Sequence, residues 1–391
     1  MATRPKILIV DDEPFNVDYL EQELEDLGYQ TISALNGREA LTRMADENPD
    51  MVLLDIMMPV MDGFEVLRQV KAEPAWRDTP VVIVSAMTDL DSVIKGIELG
   101  AEDYLPKPFN PSILKARLNA GLSRKNLRDL EKKYLRSLER ELEIGHEIQS
   151  GFLPRSLPEV NGWEMAACFR AAREVAGDFY DVFLLTDGKV GFFLGDVTDK
   201  GVGAALFMAL YRSLLRAAMS EDIFADGGGS SSDSADLVHR AVTRTNQYVC
   251  RTHQEALFAT LFIGVFDPST GYLKYINAGH NPPMIVREMN IRTELNPNGA
   301  LLGVLAEMSY QANEEEINPG ETLLLYSDGV VDTQDTHGLF FGEERLFELI
   351  KVTSSSAVRL IESISIGLDS FRGKQSPFDD VTLLAIHRRS R

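Results

Sequence analysis

The sequence predicts an α/β unit built on a doubly wound, five-stranded parallel sheet, joined by a long helix to an α+β unit. Three observations predict it. The chain has 391 residues, too many for one ordinary hydrophobic core. Residues 5 to about 120 alternate short apolar runs with amphipathic stretches, the pattern of a parallel sheet covered on both faces. From about residue 161, strand-like runs follow one another with helical stretches set between them.

The first five runs are "KILIV", "TISAL", "MVLLD", "PVVIVSA" and "DYLPKP". Between the first two lies "PFNVDYLEQELEDLG", with proline at its start and glycine at its end, the ordinary punctuation of a helix. Residues 112 to about 150 contain no proline and are dense in Leu, Glu, Lys and Arg. Leu127, Leu130, Tyr134, Leu138 and Leu142 recur every three or four residues and make one apolar stripe. That stripe packs either on its own chain or against a second copy in a coiled coil. "LPRSLPEVNG" then ends the helix with two prolines. The second unit offers the strands "WEMAACFRA", "FYDVFLL", "KVGFFLG", "LFATLFIGVFD", "YLKYINAG", "ETLLLYSDG" and "VTLLAIH". Its helices are expected at 202–219, 235–251, 342–351 and 357–371. "DGGGSSSDSAD", between the first two helices, has the composition of a disordered loop.

A formal net charge of −21 argues against a nucleic-acid partner, whose phosphates it would repel. Cys168 and Cys250 are too far apart to suggest a metal pair and read as core residues of a reducing compartment. No run approaches a membrane span, and "MATRPKILIV" reads as a strand rather than a leader. A cytoplasmic protein with no membrane partner is expected.

Strand one of the first unit ends in Asp11 and Asp12, and strand three ends in Asp55. In a parallel sheet these carboxyl ends share one edge, where ligands bind. Three carboxylates there call for a hard cation such as Mg²⁺. Ser85 at the end of strand four and Lys107 at the end of strand five add a hydroxyl and an ammonium, the makings of a phosphoryl site with Asp55 as nucleophile. On "ILIVDDE", "VLLDIMMPVMDGFEVL", "VVIVSA" and "GAEDYLPKPF", residues 1–121 resemble a two-component receiver domain, which is flavodoxin-like in fold. The resemblance implies that Asp55 accepts phosphate from a cognate histidine kinase. It implies Mg²⁺ held by Asp12, Asp55 and the Met57 carbonyl, with Asp11 helping through water. It also implies switch roles for Ser85, Tyr104 and Lys107, and a cis Lys107-Pro108 bond.

In the second unit, Asp178 ("VAGDFYD"), Asp196 ("LGDVTDKG"), Asp328 ("LLYSDGV") and Asp379-Asp380 ("PFDDVTLL") each sit where an apolar run meets a turn. Singly each is an ordinary turn acid. Packed together without a cation they would repel, at a cost of several kcal/mol. A two-metal oxygen site resolves the conflict, with water activated for in-line displacement at phosphorus. No serine or cysteine nucleophile has local support. His280 in "NAGHNPP" is read as a turn histidine in preference to a general acid.

About residues 145 to 390 resemble the SpoIIE-like branch of the metal-dependent PPM protein phosphatases, which sets a domain at 153–391 after a helical linker at 122–152, a coiled coil in one of its two readings. The motifs are "EIQSGFLPRSLP", "AGDFYD", "GDVTDKG", "FATLFIGVFDPSTGYLKYINAGHNPP", "LLGV", "YSDGVVD" and "DDVTLL". The resemblance implies a four-layer α-β-β-α domain with two Mn²⁺ or Mg²⁺. Asp196 would bridge them, the Val197 carbonyl would assist, Asp328 and Asp379 would hold the second, and Asp178 would act through water. Asp380 is the weaker ligand candidate of its pair. Ala176 and Asp199 stand where the branch usually has glycine, and Asp199 tolerates a left-handed backbone better than most residues. The whole chain then reads as a response regulator, homodimeric through its linker helix. Asp55 phosphorylation would control hydrolysis of phosphoserine or phosphothreonine on a partner, an anti-sigma-factor antagonist by resemblance. The alternative is an adaptor whose phosphatase-like domain is inactive and binds a sigma factor or another regulator.

Overall fold

The computed structural model describes residues 4–86, 90–220, 234–253, 257–288, 290–351 and 356–390; for Ser85, Ala86, Leu90, Ser234 and Ala235 it describes the backbone alone. The chain forms two compact units, 1–138 and 139–391. Most of "DGGGSSSDSAD" (226–233) falls outside the described residues.

The first unit runs β1 (Lys6–Val10), α1 (Pro14–Asp26), β2 (Gln30–Ala34), α2 (Gly37–Glu47), β3 (Met51–Asp55), α3 (Gly63–Ala72), β4 (Val81–Ala86), α4 (Leu90–Glu98), β5 (Asp103–Lys107) and then α5 (Pro111–Ser150). Its strands are all parallel, in the order β2-β1-β3-β4-β5. Alternation along β1 explains why both faces are covered. Leu8 and Val10 pack with Ala40, Met44, Phe64 and Leu67 from α2 and α3. Ile7 and Ile9 pack with Val17, Leu20 and Leu24 of α1 and Leu114, Leu118 and Leu122 of α5. The five-stranded sheet predicted from the apolar runs is therefore present.

α5 carries the stripe singled out in the sequence. Leu127, Leu130 and Tyr134 stand about two-thirds exposed, while Leu138 and Leu142 are less so. The helix's last turns behave differently, since Gln149 is buried.

The second unit contains β6 (Trp163–Arg170), β7 (Asp178–Leu184), β8 (Val190–Val197), α6 (Val202–Met219), α7 (Ser234–Thr252), β9 (Ala259–Phe266), β10 (Tyr272–Ala278), β11 (Met284–Arg287), β12 (Asn290–Glu294), β13 (Asn313–Glu316), β14 (Glu321–Tyr326), α8 (Asp328–Val331), α9 (Gly342–Ile350), α10 (Ala357–Arg372) and β15 (Val381–Arg388). Two five-stranded antiparallel sheets result, β13-β10-β9-β8-β7 and β12-β11-β14-β15-β6. Alternate residues of each point inward: Val182, Phe192, Leu194 and Phe262 from one sheet meet Ile285, Leu323, Leu325 and Leu384 from the other. The outer face of the first sheet packs on α6 and α7 through Phe193, Met208, Tyr211 and Val242. That of the second packs on α9 and α10 through Leu324, Leu346, Leu360 and Ile364. This is the expected α-β-β-α layering.

Short polar strands β12 and β13 lie at the sheet edges, and neither was predicted. β11, four residues long, was also missed. Among the described helices, α6 alone is long and apolar enough to match a membrane span by composition, contrary to the expectation that no run approaches one. Its buried face is committed to the core, with Ala204, Met208, Tyr211, Leu215 and Met219 packed there.

Candidate functional site

Parallel strands order the first cluster. β1 and β3 are neighbours, so Asp11, just past β1, and Asp55, the last residue of β3, come to the same sheet edge. Asp11, Asp12 and Asp55 each place one carboxylate oxygen within 4.8 Å of the others, the one such trio among the described residues. All its donors are oxygens, a set that fits a hard divalent cation. Lys107, at the end of β5, reaches Asp11 Oδ2 at 2.8 Å and Asp55 Oδ2 at 3.2 Å. Burial raises the Asp55 carboxyl above its ordinary value, opposed by Lys107 and reinforced by Asp11. For Lys107, burial is the largest influence and works against the charge, but its bonds to Asp11 and Asp55 leave it raised.

Two residues past Asp55, Met57 has an exposed side chain, so its backbone is what it can offer a cation. Tyr104 is exposed, with the Arg117 guanidinium 5.8 Å from its ring centre. Ser85 pairs with Pro106 at the end of β4; its side chain lies outside the described residues. Lys107-Pro108 is cis, as expected. Asn16 was not foreseen: its amide donates to Asp11 Oδ1 at 3.0 Å and braces that carboxylate.

The second cluster forms where the inward faces of the two antiparallel sheets end. β7 and β8 pair with Asp178 directly opposite Asp196. Both share parity with Val182, Phe192 and Leu194, so both point between the sheets. From the other sheet, Asp328 follows β14 after Ser327, and Asp379-Asp380 lead into β15. The Thr382 hydroxyl of β15 donates to Asp178 Oδ2 at 2.5 Å and ties the sheets together.

Close backbone approach makes this convergence possible, and glycine permits it at two positions. A Cβ on Gly177 would sit 2.9 Å from the Val197 carbonyl oxygen and 3.2 Å from Asp196 Oδ1. One on Gly329 would sit 2.0 Å from the Asp380 carbonyl oxygen. Ala176, by contrast, keeps an ordinary backbone and is clamped by Gln149, whose side chain accepts from its N–H at 2.9 Å and donates to its carbonyl at 2.7 Å. Asp199 has φ +78° and is exposed, accepting from the Lys200 N–H. The turn does need a left-handed residue, and aspartate supplies it without reaching the cluster's interior.

Electrostatically the cluster is loaded with negative charge. Asp196 is pushed up to about 7 by burial and then by the charge of Asp328, against a smaller lowering from its bond with Asp178. Asp178, almost fully buried, is raised well above the carboxylate range by burial and by Asp196 and Asp380. Burial, then Asp379, raises both Asp328 and Asp332, the latter an acid that sequence reasoning missed. Such carboxyls need protons or cations. Oxygen donors of this kind fit divalent metal ions. Asp380 is spent elsewhere: its oxygens accept from the Ala172 and Gly177 N–H groups, both at 2.7 Å. Asp379 is engaged by Lys200, at 2.8 Å. Neither Lys200 nor Gln149 was singled out from sequence, although both lie inside quoted motifs.

His280 is buried and bonded to the Thr260 hydroxyl at 2.8 Å, and burial lowers it to about 4. That suits a neutral pin behind β9 and does not suit a general acid.

Two family models match the chain: the response regulator receiver domain over residues 7–119 and Stage II sporulation protein E (SpoIIE) over 186–389. Protein IcfG of Synechocystis is 40% identical over 263 residues, 63% of this chain and 41% of that protein. The chain spans half or less of the length of the curated relatives it matches. Among solved structures, the RsbU and RsbW domains of Rv1364c from Mycobacterium tuberculosis align at 26% identity and TM-score 0.50, covering 61% of this chain and 63% of that one. The SiaA-PP2C domain of Pseudomonas aeruginosa aligns at TM-score 0.53 and 21% identity, covering 65% and 98%, a likeness of fold. With its model matched over more than half its length, the chain belongs to the SpoIIE family of PPM-type phosphatase domains, here preceded by a response regulator receiver domain.

Proposed function

We propose that this protein is a response regulator whose output is hydrolysis of phosphoserine or phosphothreonine on a partner protein. One observation carries the reading: Asp178, Asp196, Asp328 and Asp379, from four separate strand ends, meet at one end of the sandwich, where burial and mutual repulsion lift Asp196 to about 7. An inactive adaptor would have no need to maintain that cost, so the enzyme reading is preferred. PPM-type phosphatase domains are metal-dependent, and two Mn²⁺ or Mg²⁺ ions, when bound, supply water activation and charge neutralisation at phosphorus. Asp196 would be the ligand common to both ions, and the Val197 carbonyl, Asp328 and Asp379 would complete the donor set. Asp178, held by Thr382, would act through water. Asp380 fastens the Gly177 turn, and Asp199 shapes the turn after β8.

In the receiver, Asp55 is assigned as phosphoacceptor for a cognate histidine kinase, with Asp11, Asp12, Asp55 and the Met57 carbonyl around Mg²⁺ and Ser85, Tyr104 and Lys107 as its switch residues. The exposed stripe of α5 supports dimerisation through the linker. The likeness to RsbU domains supports a phosphoprotein as substrate, for which the sequence resemblance suggests an anti-sigma-factor antagonist.

The test is Mn²⁺-dependent phosphate release from a phosphoserine protein by wild type and Asp196→Ala. Rates that are equal, or indifferent to metal, remove the enzyme reading. Repeating the assay with beryllofluoride addresses receiver control, which an unchanged rate refutes.

A further inference from the structure

Lys200 lies in the turn between β8 and α6 and reaches the residues that lead into β15. Its ammonium is 2.8 Å from Asp379 Oδ2, donates to the Phe378 carbonyl at 2.9 Å and stands 4.9 Å from the centre of the Phe378 ring. The other oxygen of Asp379 accepts the Asp380 N–H at 2.9 Å. Both oxygens of Asp379 therefore already have donors, and one of the donors is a full positive charge. The same ammonium also moderates the repulsion felt by Asp328 and Asp332. Among the described residues, the acids of this cluster form no trio with ligand atoms as close as those of Asp11, Asp12 and Asp55.

We propose that Lys200 is a resident counter-ion of the cluster. Its ammonium holds Asp379 in the metal-free protein and gives up that carboxylate when a divalent cation takes it. The proposal rests on the reading of the cluster as a metal site. Two consequences oppose each other, which makes the role measurable. Without metal, Lys200 offsets repulsion among Asp328, Asp332 and Asp379 and stabilises the fold. With metal, it is a competitor and a like charge, so it weakens the binding of the cation that uses Asp379.

The experiment is a calorimetric Mn²⁺ titration of the full chain in an Asp12→Ala background, which removes the receiver acids from the signal, with thermal melts in chelator alongside. Lys200→Met is expected to bind its weaker Mn²⁺ about tenfold more tightly, the loss of one competing charge-assisted hydrogen bond. It is also expected to melt lower than its parent in chelator. Lys200→Arg, which keeps the charge, is expected to stay within about twofold of the parent or bind more weakly. If Lys200→Met does not fold, Lys200→Gln carries the same expectations, since it retains a donor for the Phe378 carbonyl. Unchanged or weaker Mn²⁺ binding in the neutral variants overturns the proposal and leaves the metal reading intact. A parent that binds no Mn²⁺, or binds it equally well as Asp196→Asn, overturns the metal reading itself.

Discussion

Replacing Asp196 by asparagine should stabilise the metal-free protein. The substitution keeps the side chain's shape and removes its charge. Lifting a carboxyl from 3.8 to about 7 disfavours its anion by about 4 kcal/mol, at about 1.4 kcal/mol per tenfold change in proton affinity. Between those two values the folded protein holds a proton that the unfolded chain has released. Stability is therefore lost as pH rises through this window, and the full penalty applies above about 7. If relaxation and water entry leave about half of it, the second unit of Asp196→Asn should melt about 4–8 °C above wild type in chelator at pH 8. The gap should close towards pH 4. Saturating Mn²⁺ should reverse the order, because wild type gains the binding energy and the variant does not. Melts followed by calorimetry from pH 4 to 8, with and without Mn²⁺, decide the matter. A variant no more stable than wild type at pH 8, or a gap independent of pH, refutes the reasoning.

Four further outcomes are expected. Asp55→Asn should take up no phosphoryl group from acetyl phosphate, read by intact mass, while wild type does so in a Mg²⁺-dependent way. Gln149→Ala removes two buried hydrogen bonds to the Ala176 backbone and should cost about 2–3 kcal/mol in chemical denaturation, with slower phosphate release. His280 stays neutral in the fold down to about 4, whereas an unfolded histidine protonates near 6.5. Stability should thus fall as pH drops between those values, and His280→Gln should flatten that slope when both are measured in an Asp196→Asn background. At φ +78°, Asp199→Gly should stay within about 1 kcal/mol of wild type by thermal melt, while branched Asp199→Val should lose more.

Much of this architecture is legible in the sequence because periodicity and punctuation agree with burial. β1, β3 and β4 as far as Val84 are apolar runs that lie buried on both faces, and α6 spans the predicted 202–219. The strands that escaped notice are those with little to bury. β12 and β13 are "NIRTE" and "NEEE", polar edge strands held by ladder bonds to neighbours, and nothing in such segments announces a strand. The acids were recognisable because each interrupts an apolar run. Their mutual charge was readable too, but the residues that manage it were not. Lys200 and Gln149 are an ordinary turn lysine and an ordinary helix glutamine until the fold brings Asp379 and Ala176 to them. Asp380 shows the converse: an acid of the right type in the right motif, whose oxygens are consumed by the Ala172 and Gly177 amides.

The β7–β8 hairpin sets Asp178 opposite Asp196 at its open end, and its closed end is the turn Leu185–Lys189 around Gly188, which has open space beside it. These ends answer to different constraints. A residue inserted between Val190 and Gly195 would rotate everything beyond it to the opposite face and turn Asp196 toward α6. Extra residues between Asp187 and Gly188 leave the pairing untouched. That turn is therefore a port through which a fluorophore or a second folded module can be grafted, placing an optical handle one short ribbon away from the acid cluster.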